Sequence, residues 1–207
     1  MPGGCQIGSR KLDIHIVGLE KLGERRWPAC FHLLPIIRHM QAHLRKADRI
    51  VVVDKPHFQA TTPQGSHARN TTLVQVRNAG WPDAAPVHRL DRLTAGVLVF
   101  TVEARWRRYY QELFASRLVH KTYEAVAPVV PGMGFPVTRR SHIVKERGSL
   151  QARELPDRET NAETLIEVIE TRGPLARYRL TPSTGRTHQL RVHLNALGAP
   201  IRHDPLY

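Results

Sequence analysis

Apolar and polar residues follow one another in patterns that divide the chain into short strands separated by single helices. Strands are predicted where β-branched residues cluster or where apolar and polar residues alternate. These segments are residues 12–17, 49–56, 97–100, 119–127, 162–170 and 176–180. Alternation in the fourth of them places Val119, Lys121, Tyr123 and Ala125 on one face.

Apolar residues three or four positions apart predict helices in four places. These are residues 31–46, a segment that starts at Thr71 or Thr72 and ends near Gly80, residues 103–117, and residues 187–197 with Gly198 as C-terminal cap. The third helix carries an aromatic stripe, which we expect to pack on a sheet, and a basic face that could contact phosphate. In the first helix, His39 and His43 have a spacing that can bind metal. No third ligand accompanies them, so we assign no metal site.

This order of elements predicts a mixed β-sheet with helices packed on it. Residues 128–161 are rich in proline, glycine and charge, and we interpret them as a long connection with short strands. The first 49 residues carry no pattern that assigns a function.

Charge is the most informative feature of the composition. The 207 residues include 31 Lys and Arg against 18 Asp and Glu, a formal net charge of +13. A folded protein this basic is expected to bind a polyanion, nucleic acid first, although charge that serves only solubility is the alternative. The two cysteines, Cys5 and Cys30, fit a reducing compartment, and no apolar run resembles a membrane span or signal peptide. We therefore expect a soluble, cytoplasmic protein.

The segment 87–100 combines a carboxylate with an apolar strand. Asp91 lies between Arg89 and Arg92, with Leu90 and Leu93 bracketing it. An Asp among arginines is usually a surface ion pair of little consequence. The apolar flank favours a sheltered site instead, where the neighbouring cations would keep the carboxylate ionised and available as a nucleophile.

A second dense cluster, residues 184–194, has the composition of a turn that leads into a helix. Gly185 permits a sharp bend, and the basic residues that follow lie at a helix N-terminus, where free backbone N–H groups attract anions. A capped helix with solvated arginines is the other interpretation.

Taken together, the chain resembles the RluA-type family of RNA pseudouridine synthases. The family motifs occur in order as His88 to Gly96, Lys121 to Tyr123 and Gly185 to His193. Flanking elements match at Val52 to Pro56 and from Gly198 to Tyr207. The resemblance covers residues 50–207 and implies an α+β fold with a mixed, mainly antiparallel sheet flanked by helices. It leaves residues 1–49 as an extension of unclear role.

The resemblance implies an isomerase that needs no cofactor or metal and converts uridines in ribosomal or transfer RNA to pseudouridine. Asp91 would be the nucleophile, on the sugar or on the base. Tyr123 would stack on uracil and is the candidate for removing the C5 proton, while Arg186 would pair with Asp91. Arg89 would fill the RNA stack after the base is flipped. The other RNA-binding candidates are His88, Arg92, Arg139, Arg140, His188 and Arg191.

Three departures from the family pattern qualify this expectation. Ala95 replaces the usual serine, and Arg202 and His203 replace an apolar residue and a glycine. The family also continues beyond the position of Tyr207 with a segment that lines the pocket, so we expect a truncated C-terminus. An RNA-binding protein that retains the scaffold without turnover is therefore the alternative to the enzyme. In either case we expect a monomer. A metal-dependent nuclease would need a carboxylate cluster that the motifs lack.

Overall fold

A computed structural model describes residues 12–15, 49–63 and 70–207, with the backbone alone described for residues 12–15. The helix predicted over residues 31–46, with His39 and His43, lies outside the described residues, as do both cysteines. No helix in the described part of the chain combines the length and the apolar character needed to cross a membrane.

Two β-sheets form the frame, where the sequence had predicted one. The strands are β1 (Leu12–His15), β2 (Ile50–Lys55), β3 (Ala85–Pro86), β4 (Gly96–Thr101), β5 (Val119–Pro128), β6 (Val137–Val144), β7 (Arg153–Leu155), β8 (Ala162–Arg172) and β9 (Leu175–Pro182). A large sheet has the order β1-β5-β9-β8-β6-β7, and a small sheet has the order β2-β4-β3. Only the β1–β5 pair is parallel among these strand pairs. The predicted α+β class with a mainly antiparallel sheet is confirmed.

Three α-helices accompany the sheets in the described chain. They are α1 (Thr72–Asn78), α2 (Arg107–Ala115), which a 3₁₀ turn at Ala104–Trp106 precedes, and α3 (Gln189–Ala196). Thr71 is the N-cap of α1, where its hydroxyl accepts a hydrogen bond from the N–H of Val74 at 3.3 Å. Gly198, with φ +79°, follows α3 as predicted, because its left-handed backbone suits glycine.

The small sheet has its own core because β4 is buried along most of its length. Val51 lies opposite Phe100 and Val53 opposite Leu98, and all four are buried. Helices α1 and α2 cover this sheet, α2 through Tyr110, Leu113 and Phe114. The prediction for the aromatic stripe is therefore confirmed for these three residues, whereas Tyr109 is 40% exposed and the ring of Trp106 contacts the guanidinium of Arg49. The basic face of α2 is partly neutralised, since Arg108 pairs with Glu112 at 2.7 Å.

The large sheet forms the second core together with α3. Ile166, Tyr178 and Leu180 are almost fully buried, and Leu194 of α3 packs against them. Strands β6 and β7 lie within the segment that was predicted as a connection. Tyr123 of β5 packs against both cores. This position brings β5 to the junction of the two sheets, where the candidate site lies.

Candidate active site

A cleft of about 1010 Å³ lies where the segment before β4, strand β5 and the turn before α3 meet. Asp91, Tyr123, Arg186, His188 and Arg191 all line it. The structure thus brings together the three motifs that are separated in the sequence.

The loop that carries Asp91 is fixed by side chains from the segment after β2. The hydroxyl of Thr61 donates to the carbonyl of Leu90 at 2.8 Å and accepts from the N–H of the same residue at 3.2 Å. A ring nitrogen of His57 lies 2.8 Å from the carbonyl oxygen of Leu93. Because these contacts bind the backbone on both sides of Asp91, the carboxylate has a defined position in the cleft.

Lys55, which is fully buried, reinforces the same loop. Its ammonium donates to the carbonyls of Gln59 at 2.8 Å, Pro56 at 3.0 Å and Arg92 at 3.4 Å, so each of its three protons has an acceptor. Burial lowers the pKa of Lys55 to about 8, against an opposing effect of the charge on Asp91. At neutral pH this cation adds to the positive field around Asp91.

Arg191 is the guanidinium that contacts Asp91. Its Nη1 lies 3.2 Å from Oδ2 of Asp91, and its Nε and Nη2 bind the carboxylate of Asp204 at 2.6 and 2.7 Å. The side chains of Arg191 and Asp204 are 7% and 1% exposed, whereas that of Asp91 is 35% exposed. Asp204 therefore holds one edge of the guanidinium and leaves the other edge for a carboxylate that opens into the cleft.

The prediction that Arg186 pairs with Asp91 is wrong. Arg186 is exposed, and its Nε donates to the carbonyl of Asn161 at 3.2 Å. Helix α3 begins at Gln189, so Arg191 lies in its first turn and faces inward, while Arg186 lies in the turn before the helix. The prediction that Arg191 holds the RNA backbone is also wrong, because its side chain is buried in ion pairs with Asp91 and Asp204.

Gln189 explains why the turn before α3 has this shape. Its carbonyl oxygen accepts from the backbone N–H of Arg186 at 2.9 Å and from the hydroxyl of Thr184 at 2.8 Å. Its amide donates to the carbonyl of Glu163 and the hydroxyl of Thr164, both at 2.9 Å. All four hydrogen-bonding positions of the side-chain amide are satisfied, so this buried residue ties the turn to β8.

His188 lies next to the acidic centre instead of on the outer surface. It has a left-handed backbone with φ 56°, its Nε2 is 3.9 Å from Oδ2 of Asp91, and its Nδ1 is 2.8 Å from the hydroxyl of Tyr207. That hydroxyl also accepts from the N–H of Ala152 at 2.7 Å. Burial lowers the pKa of His188, which favours the neutral ring. The structure thus couples the imidazole to Asp91 and to Tyr207, in addition to the RNA contact that the sequence predicts.

Tyr123 is positioned by β5 with its ring in the cleft. Burial, together with the charge on Asp91, raises the pKa of its phenol. The side chain is therefore a protonated phenol at neutral pH, with an aromatic face and one O–H donor. Stacking on a flat heterocycle requires only this neutral form.

His88 has a structural role in the small sheet. Its ring stacks on Phe114 with the centroids 4.7 Å apart, and its Nε2 accepts from the N–H of Val99 at 3.3 Å. Burial lowers its pKa to about 4. The ring is consequently a neutral hydrogen-bond acceptor that packs against the core. The sequence predicted an RNA contact for His88 and did not predict this structural role.

The remaining basic candidates differ in their availability. Arg89 and Arg92 are exposed beside Asp91 at the rim of the cleft. Arg139 is half-buried and forms an ion pair with Glu154, and Arg140 pairs with Glu163 at 2.6 Å. A phosphate would have to compete with a carboxylate at the second pair. Arg89 and Arg92 therefore provide the cations that are free to face a ligand.

Sequence reasoning missed Asp204, Lys55 and Gln189 as parts of the site. Asp204 and Gln189 were noted only as positions of a motif, and Lys55 only as the end of a strand. A signal was available for α3, because Gln189 and His193 are four residues apart and so share one face of the helix. Polar residues on the buried face of a helix indicate a hydrogen-bond network.

Within the described residues, no group of three or more His, Cys, Asp or Glu side chains could hold a metal ion.

Comparison with known proteins gives a consistent result. Residues 49–196 match the family model described as RNA pseudouridylate synthase. The chain is 31% identical over 176 residues to the dual-specificity RNA pseudouridine synthase RluA of Escherichia coli O157:H7, covering 79% of this chain and 75% of the relative. It is 33% identical over 180 residues to human pseudouridylate synthase RPUSD2, covering 85% of this chain but 32% of the relative.

Solved structures show the same similarity. Human RNA pseudouridylate synthase domain containing 1 superposes with a TM-score of 0.65 at 26% identity, covering 79% of this chain and 67% of that chain. The chain spans only about a third of the length of the human and mouse RPUSD2 proteins, at 32% and 30%. The family model nevertheless covers more than half of the sequence, and most of the bacterial RluA protein is matched. The chain therefore belongs to the RNA pseudouridylate synthase family.

Proposed function

We propose that this chain isomerises uridine in RNA to pseudouridine, with Asp91 as the nucleophile. The observation that carries the proposal is the 3.2 Å contact between Asp91 and a buried Arg191 at a cleft that could admit a nucleotide. A carboxylate that is held by a guanidinium and partly open to the cleft can reach a substrate as a nucleophile. The relatives described above are named as pseudouridine synthases, which supports the same reaction.

The reaction needs one covalent intermediate and no external reagent. An oxygen of Asp91 forms a bond to the ribose at C1′, or to the base, and the bond from C1′ to N1 breaks with its electron pair on the uracil. The uracil turns, C1′ bonds to C5, Asp91 is released, and the C5 proton is transferred to N1. Atoms and electrons balance, since the product is an isomer of the substrate. Arg191 holds the carboxylate in the direction of attack and stabilises its charge when the enzyme is regenerated.

Tyr123 has two parts in this proposal. Its ring stacks on the uracil, and its oxygen is the candidate that receives the C5 proton. Because the pKa of the phenol is raised, Tyr123 can act as a base only after its own proton leaves. Bond formation at Asp91 removes one of the two causes of the raised pKa, the neighbouring negative charge. In the covalent intermediate the negative charge lies on the detached uracil, whose N1 can accept the phenol proton. The resulting phenolate then takes the C5 proton after C1′ has bonded to C5, so that the net transfer is from C5 to N1.

The substrate that we propose is ribosomal or transfer RNA with the target base flipped out of its stack. Arg89 is exposed at the rim of the cleft and would fill the vacated position, since a guanidinium can both stack and donate hydrogen bonds. One relative is named as a mitochondrial tRNA pseudouridine(32) synthase of Saccharomyces cerevisiae. For this chain, cytoplasmic location and a monomeric state stay predictions from the sequence.

Mapping pseudouridine in RNA from cells with and without the gene, and in that RNA after incubation with purified protein, tests the proposal. Asp91→Asn should abolish product formation while RNA affinity and the circular dichroism spectrum stay unchanged. Asp157→Asn is the matched control, because Asp157 is exposed with φ 54°, a conformation that asparagine tolerates. Wild-type protein that binds RNA without forming pseudouridine would contradict the proposal and favour an RNA-binding protein that has kept the scaffold. Turnover by Asp91→Asn near the wild-type rate would exclude the assigned nucleophile.

A further inference from the structure

The turn that follows β2 contains an aromatic residue in an unfavourable conformation. Phe58 has φ +64°, in the left-handed region that bulky side chains rarely adopt, and its side chain is 63% exposed. A glycine at this position would avoid both the backbone strain and the exposed apolar surface. Strain of this kind persists only where the surroundings impose it, and it concentrates at functional sites.

The neighbouring residues impose this conformation and connect it to the catalytic loop. His57 contacts the carbonyl of Leu93, and the carbonyl of Gln59 accepts from Lys55, whose ammonium also reaches the carbonyl of Arg92. The turn is thus bound on both sides of Phe58, and the ring can project outward without freedom to fold away. The ring of His57 lies beside it, with centroids 6.1 Å apart at an angle of 50°.

The turn that carries the ring lies beside the cleft, although Phe58 itself does not line it. Ala60, Thr61 and Thr62, which follow directly in the chain, line the cleft, as does Leu93, which His57 contacts. Arg89 and Arg92 are exposed in the loop that this turn supports. An exposed aromatic ring in a turn bound to a loop with exposed guanidinium groups is a combination that suits single-stranded nucleic acid, because bases stack on the ring and phosphates pair with the cations.

We propose that Phe58 is a stacking platform for an unpaired nucleobase of the RNA strand, adjacent to the uridine that enters the cleft. The choice of RNA as the partner rests on the proposed function and on the net charge of +13, which disfavours a basic or apolar protein partner. Stacking is tolerant of sequence, so Phe58 contributes affinity for an opened strand and little discrimination among bases. The strained, preorganised ring loses little conformational freedom when the base arrives.

Binding of a fluorescein-labelled, single-stranded, uridine-containing RNA oligonucleotide, followed by anisotropy, tests the platform without requiring turnover. Phe58→Gly and Phe58→Ala should weaken binding about 5- to 150-fold, the range for the loss of one stacked base. Phe58→Trp should retain wild-type affinity. Tyr109→Ala is the matched control, since Tyr109 is an exposed aromatic residue of α2, outside the turn that is bound to the Asp91 loop, and it should bind as wild type does.

Phe58→Gly separates recognition from folding because glycine is favoured at φ +64°. We expect its melting temperature to equal or exceed that of the wild type while its affinity falls. The proposal would be overturned if Phe58→Gly bound RNA with wild-type affinity. It would also be overturned if Phe58→Trp lost as much RNA affinity as Phe58→Gly. Photocrosslinking of an oligonucleotide with 5-iodouridine next to the target should yield a Phe58 adduct, which mass spectrometry identifies. Wild-type protein that binds RNA but makes no pseudouridine would refute the proposed function and leave the Phe58 measurement valid.

Discussion

Replacing Asp204 by asparagine tests whether Arg191 is held in place by a buried ion pair. Both oxygens of Asp204 bind Arg191, at 2.6 and 2.7 Å, and Oδ1 also accepts from the N–H of Leu206 at 3.0 Å. Asp204→Asn keeps the size of the side chain but removes its charge. It also places an NH₂ group where one oxygen had accepted from the guanidinium. Arg191 then lacks the partner that fixes one of its edges.

The expected cost follows from burial. Removing one member of a buried ion pair destabilises a protein by about 3–5 kcal/mol, because the other charge is left in a poorly solvated place. Arg191 keeps its contact with Asp91, which is partly solvated. We therefore expect the free energy of unfolding to fall by an amount near the lower limit, about 3 kcal/mol. Domains are stable by only about 5–15 kcal/mol, so a loss of this size is easily measured.

Activity should fall together with stability. Without Asp204 the guanidinium can rotate, and its Nη1 no longer has a fixed direction toward Asp91. A displacement of about 1 Å near reacting groups can reduce the rate about 100-fold. We therefore expect kcat for pseudouridine formation to fall by about that factor while the Kd for RNA changes little.

Urea unfolding followed by circular dichroism at pH 7 measures the free energy of unfolding of Asp204→Asn. Glu163→Gln is the matched control, since its pair with Arg140 has a similar 2.6 Å distance but an exposed guanidinium, and it should leave stability within experimental error. The double variant Arg191→Met with Asp204→Leu should recover part of the loss, because no fully buried charge is left unpaired and Asp91, which loses its guanidinium, is partly solvated. A loss below about 1 kcal/mol in Asp204→Asn would refute the reasoning, as it would place the pair among ordinary surface pairs.

Two further predictions concern the guanidinium and the histidine. Arg191→Gln should abolish pseudouridine formation, whereas Arg186→Gln should retain it, because only Arg191 contacts Asp91; rates in the opposite order would contradict the assignment. Burial lowers the pKa of His88 from 6.5 to about 4, so the unfolded chain binds this proton first as the pH falls. Stability should therefore decrease from about pH 6.5 to about pH 4, with His88 contributing about 3 kcal/mol. The midpoints of urea unfolding across this pH range measure the decrease in stability. His88→Gln should show a smaller decrease than the wild type.

The sequence predicted the strands well where apolar residues alternate or cluster. β4 and β9 lie where expected because β4 is buried at most positions and β9 at alternate positions. Strand β6 was not located, since it carries two arginines and its polar face pairs with carboxylates. The division into two sheets also escaped prediction, because pairing between strands depends on contacts across the chain that periodicity does not encode.

The candidate site was predicted in part for a similar reason. Asp91 was identified because Leu90 and Leu93 indicated shelter around a charge. Choosing between Arg186 and Arg191 required the exact start of α3 and the left-handed His188 that turns the chain into it. A one-dimensional spacing does not contain that rotation. Asp204 was overlooked as a partner because its burial arises only when the last residues pack against α3.

Residues 91 and 191, which meet in the cleft, are 100 positions apart in the chain. One belongs to the loop between β3 and β4 of the small sheet and the other to a helix packed on the large sheet. A molecule whose α3 has detached would keep much of its secondary structure, yet its carboxylate would face water without a counterion. Turnover should consequently be lost at a lower temperature than the one at which the whole molecule unfolds. The rate of product formation therefore reports detachment of α3 with high sensitivity.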